Sequence, residues 1–206
     1  MNDKIDVKKD LATYHARRGR FDVVTVPCLR YLAIDGQGDP NTSSEYAAAL
    51  SALYPIAYAT KFASKRELGL DYVVPPLEGL WWADDMAAFT VARNKTRWNW
   101  TMMILVPDWI TADAIETARA SAQRKDPAGR TQDVTLRTLD EGLCVQTLHV
   151  GSFDDEGPVL DALHHQFIPD NDLLLTGTHH EVYLSDPRRT APHRLRTILR
   201  QPVIRA

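Results

Sequence analysis

Hydrophobic and polar positions follow two rhythms along this chain, and the sequence of rhythms occurs twice. Val23–Gly36 (VVTVPCLRYLAIDG) is rich in β-branched residues and ends at a glycine, which predicts a strand. A polar loop, GDPNTSS, follows, and Thr42, Ser43 or Ser44 can cap a helix there. Tyr46, Leu50, Leu53 and Ala57 then recur at helical spacing. Pro55 lies inside that pattern, removes a backbone donor and predicts a kink or a division. Strand character returns over Asp71–Asp84 (DYVVPPLEGLWWAD), weakened at its start by Pro75 and Pro76, and again from about Trp98 to Val106. Thr111 caps a second helix, TADAIETARASAQRK, which Pro127, Ala128 and Gly129 close.

The order then repeats. Val134–Ser152 reads as a bent strand, or a pair of segments broken at Asp140–Gly142. FDDEGPVLDALHHQF begins a helix with Asp154 or Asp155 as cap and Pro158 in the first turn, and Val159, Leu160, Leu163 and Phe167 fall on one face. DLLLTGTHHEVYLSD and RLRTILRQPVI supply the last strands. The fold class predicted is α+β. A single domain over residues 1–206 holds two strand–helix–strand–strand units, about 23–107 and about 134–203, joined by a helix at about 111–125. Two such units pair about a pseudo-twofold axis, and their sheets curve around a shared groove, a usual place for a ligand.

The stretch PPLEGLWW sets Glu78 among prolines, leucines and tryptophans, where a charge is costly unless something needs it. The corresponding strand of the second unit carries Glu181, in HHEVYLSDP. Alternate residues share a strand face, so Glu78 goes with Leu80 and Trp82, Glu181 with His179 and Tyr183, and Trp98 with Trp100. Glu78 and Glu181 are therefore expected as partners in one groove with aromatic walls, an environment for flat, hydrophobic and often cationic compounds. Structural roles compete with this reading. Glu78 can pair with an arginine at a strand edge, and Trp81 and Trp82 point to opposite faces, so that one of them packs in the core. Tyr46, Leu50 and Leu53 can be the buried face of their helix, and Trp109 a packing anchor.

Composition removes several function classes. The 206 residues are 44% hydrophobic and 25% charged, enough for a folded core. A net charge of −3 gives no basic excess for a nucleic acid, and Arg188, Arg189, Arg194, Arg196 and Arg200 read as solvated faces. The roughly 22 residues before the first strand are too few for a three-helix DNA-binding unit. Cys28 and Cys144 sit in apolar stretches and read as buried thiols, with no CxxC pair for zinc. The adjacent pairs His164-His165 and His179-His180 diverge instead of converging on a metal, and no metal or cofactor is expected. Asp154, Asp155 and Glu156 read as first-turn acids favoured by the helix dipole. Neither GxSxG, a P-loop nor GxGxxG occurs. No leader and no apolar run of about 18 residues appears, so a cytoplasmic protein without a membrane partner is expected. The oligomeric state stays open.

EGLCVQTLHVGSFDDEGP and HHEVYLSDPRRTAPHRLRTILRQPV resemble the GyrI-like small-molecule-binding family, most specifically through Glu181, Tyr183, Leu184 and Asp186. The resemblance extends through DGQGDPN, ALYPIAYATKF, PPLEGLWW and RWNWTMMILVPDWIT, from about Val23 to Val203. Its EGLWW and WNW elements are similar to the stand-alone branch, which includes the cyclopropanoid cyclopropyl hydrolases. The resemblance implies a GyrI-like (SOUL-like) fold with a groove between the halves and a ligand-facing glutamate at Glu181. It implies hydrophobic, aromatic, often cationic xenobiotics as partners. It further implies hydrolysis of the cyclopropane in DNA-alkylating cyclopropanoids, which protects the cell. On that reading Glu181 and Tyr183 are catalytic, and Glu78, Trp82, Trp98, Trp100, Tyr54 and Tyr58 hold the ligand. The alternative is a non-catalytic protein that sequesters hydrophobic or cationic drugs.

Overall fold

A computed structural model describes residues 4–83 and 95–206. Its strands are β1 (Asp22–Val26), β2 (Leu29–Gln37), β3 (Leu77–Trp82), β4 (Asn99–Leu105), β5 (Thr135–Leu139), β6 (Gly142–Val150), β7 (Leu173–Leu175), β8 (His179–Tyr183) and β9 (Arg196–Arg205). They pair antiparallel in the order β1-β6-β9-β8-β3-β4-β2-β5, with β7 added on β9. The order is symmetric about the β8–β3 junction, where β6-β9-β8 answers β2-β4-β3. The strand that opens each half has crossed to the other half, since β1 pairs with β6 and β5 with β2. The halves are therefore joined by exchanged edges as well as at the centre.

Prolines set several boundaries. The stretch expected as one strand over Val23–Gly36 divides at Pro27 and Cys28, because proline has no N–H for the ladder. Of the expected 71–84 strand, Leu77–Trp82 pairs as β3 after Pro75 and Pro76, Tyr72 makes an isolated bridge with Ile5, and Asp84 lies outside the described residues. Cys28 is exposed at the first of these breaks, against the expectation of two buried thiols, whereas Cys144 is buried.

The helices are α1 (Val7–Asp10), α2 (Ser44–Ala63), α3 (Ala112–Lys125), α4 (Gly157–Ala162) and α5 (Ile168–Asp170). Ser43 caps α2 by accepting from the Tyr46 N–H, and Thr111 caps α3 by accepting from the Ala114 N–H. Helix α2 runs undivided through Pro55. Pro55 and Ser51 are both on the exposed side, so water can serve the carbonyl that proline leaves unbonded.

The two faces of the sheet carry different cores. On the helix side Leu32, Ile34, Trp100, Met102 and Ile104 pack under α2 and α3. Trp100 is fully buried there because Gly36 leaves room; a Cβ at position 36 would lie 2.1 Å from its ring. Leu163 and Ile168, around α4 and α5, pack on Val145 and Val203. On the far side Tyr31, Ala33, Met103, Val182 and Ile198 are covered by Val7 and Tyr14 of the N-terminal segment.

A chain of ionisable groups runs through this far-side core. The Tyr14 hydroxyl donates to Glu78 Oε1. Glu78 Oε2 lies 2.9 Å from His180 Nε2, and His180 Nδ1 lies 3.0 Å from Glu141. Arg200, expected on a solvated face, is buried instead and reaches Glu141 at 3.2 Å, Gln146 Oε1 at 3.2 Å and the Thr13 carbonyl at 2.7 Å. Two carboxylates thus meet one imidazole and one guanidinium, and each side chain is at most 3% exposed. Burial alone would strip the proton from His180, but the charges and hydrogen bonds of Glu141 and Glu78 outweigh it and lift the pKa to about 9. Burial would likewise raise Glu141, but His180 and Arg200 hold it at about 2.

These shifts have opposite signs in pH. The raised His180 contributes stability that is fully present below its ordinary pKa of about 6.5 and is lost as pH rises through about 9. The lowered Glu141 contributes above its ordinary 4.5, and that part is lost as pH falls toward about 2. Thermal melts across pH are expected to show a stability plateau between roughly pH 4.5 and 6.5 with a fall on each side. His180→Gln should flatten the alkaline fall; an unchanged alkaline limb in that variant would contradict the assignment.

Candidate functional site

Helix α2 and the segment around α4 form facing walls over the junction of β3 and β8. The space between them is a groove of about 1010 Å³. From α2 come Tyr46, Leu50, Tyr54 and Tyr58, one helical turn apart. From the opposite wall come Glu156, Leu160, Asp161 and His164, and from the floor Trp81, Glu181 and Tyr183. Trp98, Lys95 and Phe153 also line the space. Tyr46 stacks on Trp81 at 6.4 Å between ring centroids, Trp98 meets Trp81 edge-on at 5.8 Å, and Phe153 meets Tyr183 edge-on at 5.6 Å. One wall is thus aromatic, and the other is acidic and histidine-bearing.

The floor is built by the register of the two central strands. Gly79 lies opposite Glu181, and Trp81 opposite His179. Trp81 Nε1 donates to the Tyr183 hydroxyl at 2.8 Å. That oxygen is therefore occupied as an acceptor, and its proton is available to Glu181 or to a ligand. Burial first, then the charges of Glu181 and Tyr46, hold the Tyr183 phenol protonated far above its ordinary pKa. Glu181 itself is 8% exposed and Glu156 4%. The floor is a buried patch of carboxyl groups beneath aromatic walls.

Gly79 is part of this design. A Cβ there would lie 2.8 Å from Trp81 Nε1, 3.1 Å from the Tyr183 oxygen and 2.6 Å from the Met102 methyl. Gly79→Ala should push Trp81 and Tyr183 apart. The expected cost is about 1–3 kcal/mol of stability from overpacking, with weaker ligand quenching of tryptophan fluorescence. Unchanged melting and quenching would contradict the role given to this glycine.

Several expected positions are corrected by the register. Glu78 pairs across the strands with Val182, one step from the Gly79–Glu181 pair, so its side chain points to the far face and into the ion chain with His180. It does not line the groove with Glu181. Trp82 shares the far-side direction of Glu78, and Trp81 lines the groove in its place. Trp100 has the groove-side direction but is sealed in the core below Tyr46, which it meets edge-on at 5.3 Å. Trp98, Tyr54, Tyr58, Glu181 and Tyr183 line the groove. Tyr46 and Leu50, read as simple core, line it as well, while Leu53 is core. Glu156, read as a first-turn acid favoured by the helix dipole, is buried against the site. Among the described residues no cluster of three or more His, Cys, Asp or Glu side chains could hold a metal ion, and no helix is long and apolar enough to cross a membrane.

Residues 20–203 match the GyrI-like small molecule binding domain. The chain belongs to the GyrI-like family. A structure of an uncharacterised conserved protein from Listeria innocua is 39% identical, with a TM-score of 0.88 over 98% of this chain and all of that one. Two structures of hydrolases from Listeria innocua are 38% and 37% identical, with TM-scores of 0.83 and 0.86 and the same coverage. No curated protein matches the chain. The groove joins apolar and aromatic walls to a few polar groups, the usual make-up of a small-molecule site.

Proposed function

We propose that this GyrI-like protein is a hydrolase that opens the cyclopropane of cyclopropanoid DNA-alkylating compounds and so protects the cell that carries it. One observation carries the reading. A deep aromatic groove has a buried carboxylate, Glu181, beside a phenol held protonated, Tyr183, at its floor. The kinship with hydrolases of Listeria innocua supports it.

In such a substrate the cyclopropane is conjugated to a dienone. Tyr46, Trp81 and Trp98 stack on the flat rings and exclude water from all but the reacting edge. Glu181 accepts a proton from a water whose oxygen bonds to the strained methylene carbon. The ring C–C bond breaks, and its electron pair passes through the dienone to the carbonyl oxygen, which becomes a phenolate. Tyr183 donates its hydrogen bond to that oxygen, and a proton completes the phenol. Substrate and one water give one hydroxylated phenol.

Incubation with a large excess of a cyclopropanoid alkylator of the yatakemycin type tests this. The expected product is a water adduct, many molecules per protein. Unchanged compound that quenches tryptophan fluorescence would instead support sequestration, a reading favoured by one feature of the site: the carboxyl-bearing floor with aromatic walls also suits a planar cation held without chemistry.

A further inference from the structure

The fold divides each histidine pair between two environments. His180 belongs to the ion chain of the far face. His179 stands on the groove face of β8, two residues from Glu181, with its side chain 3% exposed and Nε2 3.5 Å from Glu181 Oε1. His165 is exposed and pairs with Asp161 at 2.8 Å. His164 turns back over the groove, and its ring meets that of His179 edge-on at 6.1 Å and 89°.

Two imidazoles this close and this buried do not both carry a positive charge. Burial, and next the neighbouring His179, push His164 down to about 4, so His164 is the neutral member. The Gln201 side chain, whose amide N–H donates to the Thr176 carbonyl at 2.8 Å, also meets His164 and pulls its pKa the other way, but burial and His179 outweigh it. His179 presents Nε2 to the carboxylate. At 3.5 Å the pair is longer than an optimal hydrogen bond, a spacing common in unliganded sites that tighten around substrate.

We propose that His179 is the positioning residue of Glu181, its Nε2–H holding Oε1 so that the other carboxylate oxygen faces the reacting water, with His164 packed edge-on against the His179 ring to fix it. The chemical half of this proposal rests on the hydrolase reading above. The proton balance is unchanged by it. Water's proton goes to Glu181, a proton returns to the former dienone oxygen, and His179 ends with the hydrogens it began with. Its contribution is alignment, and a misaligned general base loses rate without losing affinity.

His179→Phe is expected to lower kcat by about 100-fold with KM unchanged. His179→Gln, whose amide N–H can still donate, should recover part of that loss. A second measurement does not depend on turnover: in nitrogen NMR of the imidazoles, Glu181→Gln should move the His179 Nε2 signal and leave that of His149 in place. His149 bonds the Ser152 carbonyl at 2.9 Å and makes no contact with Glu181, so it serves as the internal reference. Full kcat in the Phe variant, or a His179 signal indifferent to Glu181→Gln, would overturn the proposal. If the wild-type protein turns over no cyclopropanoid, the hydrolase reading falls by itself. The NMR signal then decides the pair alone, a shift supporting it and no shift overturning it.

Discussion

Arg200→Met is expected to destabilise the protein by about 3–5 kcal/mol, the usual cost of leaving a buried charge without its partner. Arg200 is 1% exposed and holds Glu141, Gln146 and the Thr13 carbonyl at once. Methionine fills much of the volume but supplies none of these donors, so the dominant loss is electrostatic. Removing Glu141 as well, in Arg200→Met with Glu141→Gln, should restore a large part of the stability, because the cluster then no longer buries one carboxylate in excess of its cations. Urea unfolding of the two single variants and the double variant reads the coupling directly. A loss below about 1 kcal/mol in Arg200→Met would mean that water reaches the chain of ions and that the far-side core is not dry.

Glu181→Gln is the second large effect, and it falls on activity instead of stability. The amide keeps the shape of the carboxylate and its place on β8 opposite Gly79, but it cannot take a proton from water at neutral pH. General-base assistance contributes typically about 100- to 10,000-fold, and a loss within that range is expected for the cyclopropanoid reaction. Melting should change little, because Glu181 belongs to the groove and not to the ion chain of the far face. Loss of fold in the Gln variant, seen by circular dichroism, would contradict this separation of the two faces.

That separation is also what the sequence conceals. Periodicity places the strands and helices well, since local alternation and caps such as Ser43 and Thr111 act over a few residues. Tyr54 and Tyr58 can be assigned to one helical face in the same way, and Glu181 and Tyr183 to one strand face. The relation of Glu78 to Glu181 is of another kind. It depends on the pairing of β3 with β8, residues about one hundred positions apart, and a step of one residue sends the side chain to the opposite face. The same step exchanges Trp82 for Trp81 in the groove. Glu156 is hidden for a related reason, because its position before α4 looks like any acidic helix start until the groove closes over it. Gly79 leaves no periodic signal at all, although the contact of Trp81 with Tyr183 depends on its missing side chain.

The central claim is that Glu181 at the floor of the groove activates water against a strained ring. Its most direct test is turnover of a cyclopropanoid alkylator in oxygen-labelled water, with the wild-type protein beside Glu181→Gln and a protein-free control. The predicted result is the label in the new alcohol of the product, formed over many turnovers by the wild type and about 100-fold or more slower in the variant. Equal rates with the variant, or product formed no faster than without protein, would contradict it.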